Sequence, residues 1–181
     1  MLNTSHKHFF AVCDGHGQFG KEASNFIKVR LPVTLSNELK TSKGQIEQSL
    51  KTSFTKCNKD LAKVQFDTQL SGSTVCTVFF DGNDVWTANA GDSRAILCSF
   101  SDEKGLEIKQ ITNDHKPDLE DEAARIKKKG GRIEAFKDWN GEPIGPMRVW
   151  VKHDDIPGLA MSRSMGDRIA HSVGVSAEAE V

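Results

Sequence analysis

The sequence predicts an α+β fold in which helices cover antiparallel sheets, and three observations point there. Two early segments repeat apolar residues at helical spacing, the middle switches to β-rich runs divided by turn residues, and a third helical pattern follows that block. With 181 residues, 37% hydrophobic and 27% charged, the chain suits one globular domain, or most of one, with enough apolar residues for a core.

Taken in order, Phe9 to Cys13 form an apolar run with strand character that stops on Asp14-Gly15-His16-Gly17. Ala23, Phe26, Ile27 and Leu31 then recur at helical spacing, until Pro32 is expected to interrupt the helix. From Gln45 to Val64, the residues Ile46, Leu50, Phe54, Cys57, Leu61 and Val64 step every three or four positions between lysines, which predicts a second amphipathic helix.

The runs STVCTVFF (73–80) and DVWTAN (84–89) flank Asp81-Gly82-Asn83, a hairpin signal. A third run, RAILCSF (94–100), follows Gly91-Asp92-Ser93. Both parities of the first run are apolar, so these strands are expected to be covered on both faces. Residues 117–131 read as a helix, its acidic first turn and basic last turn matched to the macrodipole and Gly130 at its C-terminal cap. Residues 136–158, rich in proline and glycine and holding Trp139 and Trp150, lack a clear period and read as a loop-rich flap.

The 24 basic and 25 acidic residues nearly cancel, which argues against nucleic acid or an anionic membrane as an obligatory partner. Cys13, Cys57, Cys76 and Cys98 lack CxxC spacing and read as buried thiols in a reducing compartment. The start MLNTSHKH has no signal-peptide pattern, and no apolar run is of bilayer-spanning length. A soluble protein of the cytoplasm, with the nucleus as a second compartment, is the expectation.

A strand that ends on Asp-Gly-His-Gly holds polar groups at a sheet edge, where glycine permits close backbone approach. Asp14 can bridge two hard divalent ions, and the Gly15 carbonyl can supply another oxygen. A water between two such ions, about 3.5 to 4 Å apart, is set for in-line attack on phosphorus. His16 titrates near neutrality and can protonate a leaving oxygen. On these four residues alone, a surface turn with an incidental histidine is an equal reading. Gly91-Asp92 forms a second acidic corner, for which a ligand role and an Asx-type turn both stay open.

Several motifs occur in order: FFAVCDGHG, SGSTV (71–75), ANAGDSRAIL (88–97), TNDHKP (112–117), EAARIKKKGGRI (122–133), GLAMSRSMGD (158–167) and the closing GVSAEAEV. In these the chain resembles the metal-dependent protein serine/threonine phosphatases of type 2C, the PPM family. The resemblance implies a four-layer αββα sandwich of two antiparallel sheets flanked by helices, and residues 1–181 as a single partial phosphatase domain. It further implies hydrolysis of phosphoserine and phosphothreonine in phosphorylated proteins by a metal-activated water at a two-metal Mg²⁺ or Mn²⁺ centre. By the same resemblance Asp14 is the bridging metal ligand, the Gly15 carbonyl a ligand to one metal, and His16 the general acid. Asp92 helps hold a third, weaker metal, and Thr74 lies near the metal-bound water network. The stretch 136–158 corresponds to a flap linked to substrate choice.

The departures matter equally. The family's upstream phosphate-binding arginine has no counterpart in MLNTSHKH, and its two later metal-binding aspartates would fall beyond Val181. The sandwich is therefore expected to be incomplete at both ends and to bind metal weakly. The complete domain is expected as a monomer, while the shortened chain, with open sheet edges, is expected to be marginally stable and prone to self-association. A catalytically incomplete member that binds phosphoproteins or regulators stands as the alternative to an active phosphatase. A Ser nucleophile lacks the GxSxG elbow, and a phospho-Asp at Asp14 lacks the second carboxylate such chemistry commonly uses.

Overall fold

The computed structural model describes residues 6–181; Met1–Ser5, where the start MLNTSHKH begins, lie outside the described residues. In chain order the elements are β1 (Lys7–Val12), β2 (Gly15–His16), α1 (Gly20–Thr41), α2 (Ile46–Leu61), β3 (Gly72–Ser73), β4 (Val75–Asp81) and β5 (Asp84–Ala90). They continue with β6 (Ile96–Ser101), β7 (Gly105–Gln110), α3 (Glu120–Lys128), β8 (Arg132–Lys137), β9 (Pro143–Trp150), β10 (Pro157–Leu159), β11 (Met165–Gly166) and α4 (Arg168–Ser172).

The α+β expectation holds, with antiparallel sheets and flanking helices. The main sheet runs β1-β4-β5, its hairpin closed by Gly82 at positive φ where turn chemistry was expected. Odd-numbered residues of β4, Val75 and Phe79, face a core with Ala23, Ile27, Leu31 and Leu35 of α1 and Leu50, Phe54, Cys57 and Leu61 of α2. A second, smaller core joins Ile126 of α3, Val149 and Leu159 of the β10-β9-β8 sheet, and Ala170 of α4. No helix among the described residues is long and apolar enough to cross a membrane.

Four expectations need correction. Pro32 does not interrupt α1, which continues to Thr41 because Leu31, Thr34 and Leu35 bury the following turn and hold the helix against the core. The hydroxyl of Thr34 also donates to the Arg30 carbonyl at 2.9 Å, satisfying an acceptor close to the proline gap. The second helix is shorter than its pattern, ending at Leu61. About half of the segment 136–158 is sheet: β8 and β9 pair antiparallel, β9 pairs with β10, and register shifts in both pairings erase the period-two signal.

The fourth concerns coverage. The helices close one face of the main sheet, but the other opens into a groove of about 710 Å³ lined by Phe10, Val78, Phe80 and Val85, with Ile96 and Leu97 across it. The hairpin β6-β7 stands beyond, with Phe100 74% and Ile108 62% exposed. Strand β7 carries apolar Leu106 and Ile108 in alternation with charged Glu107 and Lys109, the period of a strand with one apolar face. Helix α3 ends in a Schellman motif: Gly130, at φ 84°, donates to Lys127 and Gly131 donates to Ile126.

Within α3, Glu122 is buried and its carboxylate accepts from Arg125 and Arg163. Burial alone would raise its pKa, but the two guanidiniums outweigh it and bring the group from 4.5 to about 2. A depressed carboxylate stabilises the fold above its unfolded pKa and loses that contribution as pH falls through the folded value. Chemical denaturation should therefore report a loss on the order of 3 kcal/mol between pH 4.5 and about 2, absent in Glu122→Gln. Truncation of the fully buried Phe54 to alanine should cost about 3–5 kcal/mol by the same assay.

Candidate active site

The two acidic corners predicted from sequence meet around Thr74. Strand β1 stays paired with β4 until Val12 faces Cys76, and the chain then leaves the sheet into Cys13 and Asp14. The Asp14 N–H donates to Thr74 Oγ1 at 3.0 Å, and the Thr74 N–H donates back to the Asp14 carbonyl at 3.0 Å. On its other side Thr74 Oγ1 shares a 2.7 Å hydrogen bond with Ser93 Oγ, one residue past Asp92. Thr74 is buried and its hydroxyl is engaged on both sides, so it acts here as a cross-link between the DGHG and GDSR corners.

Beyond Asp14 the chain forms a small sheet in the order β11-β3-β2, with Gly15 opposite Ser73 and His16 opposite Gly72. This packing is too close for side chains at Gly15, Gly72 and Gly166. A Cβ on Gly15 would lie 2.1 Å from the Gly20 carbonyl oxygen, and one on Gly72 would lie 2.3 Å from both Asp167 Oδ2 and the Met165 carbonyl oxygen.

His16 Nε2 bonds Asp167 Oδ2 at 2.7 Å, and the Ser164 hydroxyl donates to the same oxygen at 2.6 Å. Burial opposes the charged imidazole, yet Asp167, with Asp14 beside it, more than offsets this and raises the His16 pKa above 6.5. Its Nδ1 is closed off from solvent and has no hydrogen-bond partner among the described residues. Asp167 is only 1% exposed and takes a left-handed conformation at φ 43°. Its role was missed in sequence: the SRSMGD motif was visible, but nothing local ties its aspartate to a histidine at the other end of the chain.

Asp14 is exposed, and among the described residues its carboxylate accepts no hydrogen bond. That carboxylate and the Gly15 carbonyl are hard oxygens, chemically suited to Mg²⁺ or Mn²⁺, and so fit as part of a metal shell. Asp92 is already paired with a cation of the chain itself, since Lys116 Nζ bonds its Oδ2. No group of three or more His, Cys, Asp or Glu residues that could hold a metal is gathered among the described residues. Asp155, in the segment 136–158, pairs with Arg132 of β8 at 2.8 Å.

A sequence model of the family described as Protein phosphatase 2C matches residues 2–181. The chain belongs to the protein phosphatase 2C family. Probable protein phosphatase 2C 35 of Arabidopsis thaliana is 38% identical over an alignment covering 96% of this chain and 53% of that protein. Probable protein phosphatase 2C 12 of Oryza sativa subsp. japonica is 47% identical over 64% of this chain and 28% of its own length. The fold is similar to the crystal structure of a serine-threonine phosphatase 2C from Toxoplasma gondii, with a TM-score of 0.81 at 22% identity, covering 99% of this chain and 64% of that one. This chain thus spans about half the length of Arabidopsis relatives that it matches along nearly its whole length.

The crowding at Gly72 generates a prediction. Gly72→Ala forces Asp167 or the β11 backbone to move, so the variant should lose on the order of 1–3 kcal/mol of stability. The His16 ring resonances should shift with it in NMR spectra, whereas an unchanged melt and unchanged ring shifts would show that the approach is slack.

Proposed function

We propose that this chain supplies part of the active site of a protein serine/threonine phosphatase that hydrolyses phosphoserine and phosphothreonine in phosphorylated proteins. One observation carries the reading: the two acidic corners named by the family resemblance, distant in sequence, are joined in space through Thr74. Asp14 and the Gly15 carbonyl would be this chain's donors to a pair of Mg²⁺ or Mn²⁺ ions. Lewis-acid activation of water is the chemistry such ions supply. His16 has a raised pKa and is held by Asp167, which suits it to carry a proton toward a leaving oxygen. We assign the protein to the cytoplasm, with the nucleus as a second compartment, from four cysteines that form no disulfide, although only Cys57 and Cys76 are buried as expected, Cys13 being half-buried and Cys98 exposed.

A second reading is favoured by a specific observation: Asp92 is engaged by Lys116, and only Asp14 and the Gly15 carbonyl remain as the free oxygens named for metal. On that reading the chain is a catalytically incomplete member that binds phosphoproteins or regulators.

Hydrolysis of a phosphothreonine peptide with millimolar Mn²⁺ separates the two. The phosphatase reading expects turnover abolished by EDTA and lowered by two or more orders of magnitude, on the order of losing a central charge-stabilising group, in Asp14→Asn. No turnover from folded protein selects the binding-module reading. The open apolar face of the main sheet further supports self-association of this chain. Sedimentation velocity should show a concentration-dependent boundary, and a single monomeric boundary at all concentrations would count against it.

A further inference from the structure

Lys116 is held against Asp92 by the backbone that carries it. The His115 N–H donates to the Gly91 carbonyl at 3.0 Å, and the Gly91 N–H donates to His115 Nδ1 at 3.2 Å. His115 Nδ1 also lies 3.1 Å from the Gly91 carbonyl oxygen, and Nε2 faces Glu180 Oε2 at 3.0 Å, so both ring nitrogens are engaged. His115 is 1% exposed, so this staple is shielded from water. Next to it, Arg94 clamps Asp114 through two bonds of 2.9 and 2.8 Å, tying the same two loops together a second time. Gly91 cannot retreat, since even a Cβ there would lie 2.7 Å from Thr74. The loop pair therefore fixes Lys116 one residue beyond a buried anchor and delivers its ammonium to the Asp92 carboxylate.

We propose that Lys116 is the resident cation of the Asp92 corner. Its ammonium stands on the carboxylate that a divalent ion would use, so lysine and metal compete for one ligand and Lys116 sets the affinity of that position. An incoming dication must displace the ammonium, and while the lysine remains nearby it also meets a like charge. The inference rests on the proposed phosphatase reading only in treating Asp92 as a metal position, and the competition is read without turnover.

The test is Mn²⁺ binding to this chain, followed by the electron paramagnetic resonance signal of free Mn²⁺, in the wild type, Lys116→Met, Lys116→Gln, Lys116→Arg and Lys116→Met/Asp92→Asn. Both neutral variants should gain one Mn²⁺ equivalent or bind about tenfold more tightly, an effect of the size expected from removing one adjacent positive charge. Lys116→Arg should follow the wild type, and the double variant should lose the gain. Isotherms of Lys116→Met and Lys116→Gln that superimpose on the wild type would overturn the proposal, as would a gain that survives Asp92→Asn. Failure of phosphopeptide hydrolysis leaves this binding comparison unaffected, so the two readings fail separately.

Discussion

The hydroxyl of Thr74 is the point on which the site depends. Its oxygen accepts from the Asp14 N–H while it shares a further hydrogen bond with Ser93, so the end of β1 and the turn after β5 are held at one buried atom. Neither corner has regular secondary structure to fix it, because Asp14 lies between strands and Asp92 lies in a turn. Outside a strand ladder, backbone groups need side-chain partners to be satisfied, and a buried hydroxyl between two corners provides a common one. Valine at this position would keep the shape and leave those partners unmet.

Around this link, the carboxylates divide into two kinds. Asp167 and Glu122 are buried and fully engaged, the first by His16 and Ser164 and the second by Arg125 and Arg163. Removing such groups from water is costly, and only partners with good geometry offset that cost. They hold distant segments together: Asp167 ties the SRSMGD segment to β2, and Glu122 ties α3 to the chain after β10. Asp14 is the opposite kind, exposed and without a hydrogen bond to its carboxylate among the described residues. An exposed carboxylate on a rigidly positioned backbone can take a cation without first giving up another partner.

The main sheet is asymmetric in the same physical sense. Two helices seal one face with a continuous apolar core, while the opposite face leaves Phe10, Val12 and Val85 substantially exposed beside an open groove. The site lies at the end of strands β1 and β5, whose inner faces are anchored in the closed core. Rigidity at the acidic corners is thus drawn from the helix side of the sheet.

The local chemistry of the chain by itself determined the helix periods of α1 and α2, the hairpin at Gly82, the Schellman end of α3 and the two acidic corners, because each depends on residues within a few positions of one another. Where tertiary packing competes with local preference, the sequence pattern was incomplete. Pro32 opposes a helix that Leu31 and Leu35 hold against the core, and the bulged pairings of β8, β9 and β10 hide strands in a segment that reads as loop. Only the tertiary structure decided the partners of the site: Asp167 on His16, Lys116 on Asp92 and Thr74 between the corners. Those pairs join residues far apart in the chain, and a hydrogen bond between them is set by distance and burial in the folded state, which no local spacing encodes.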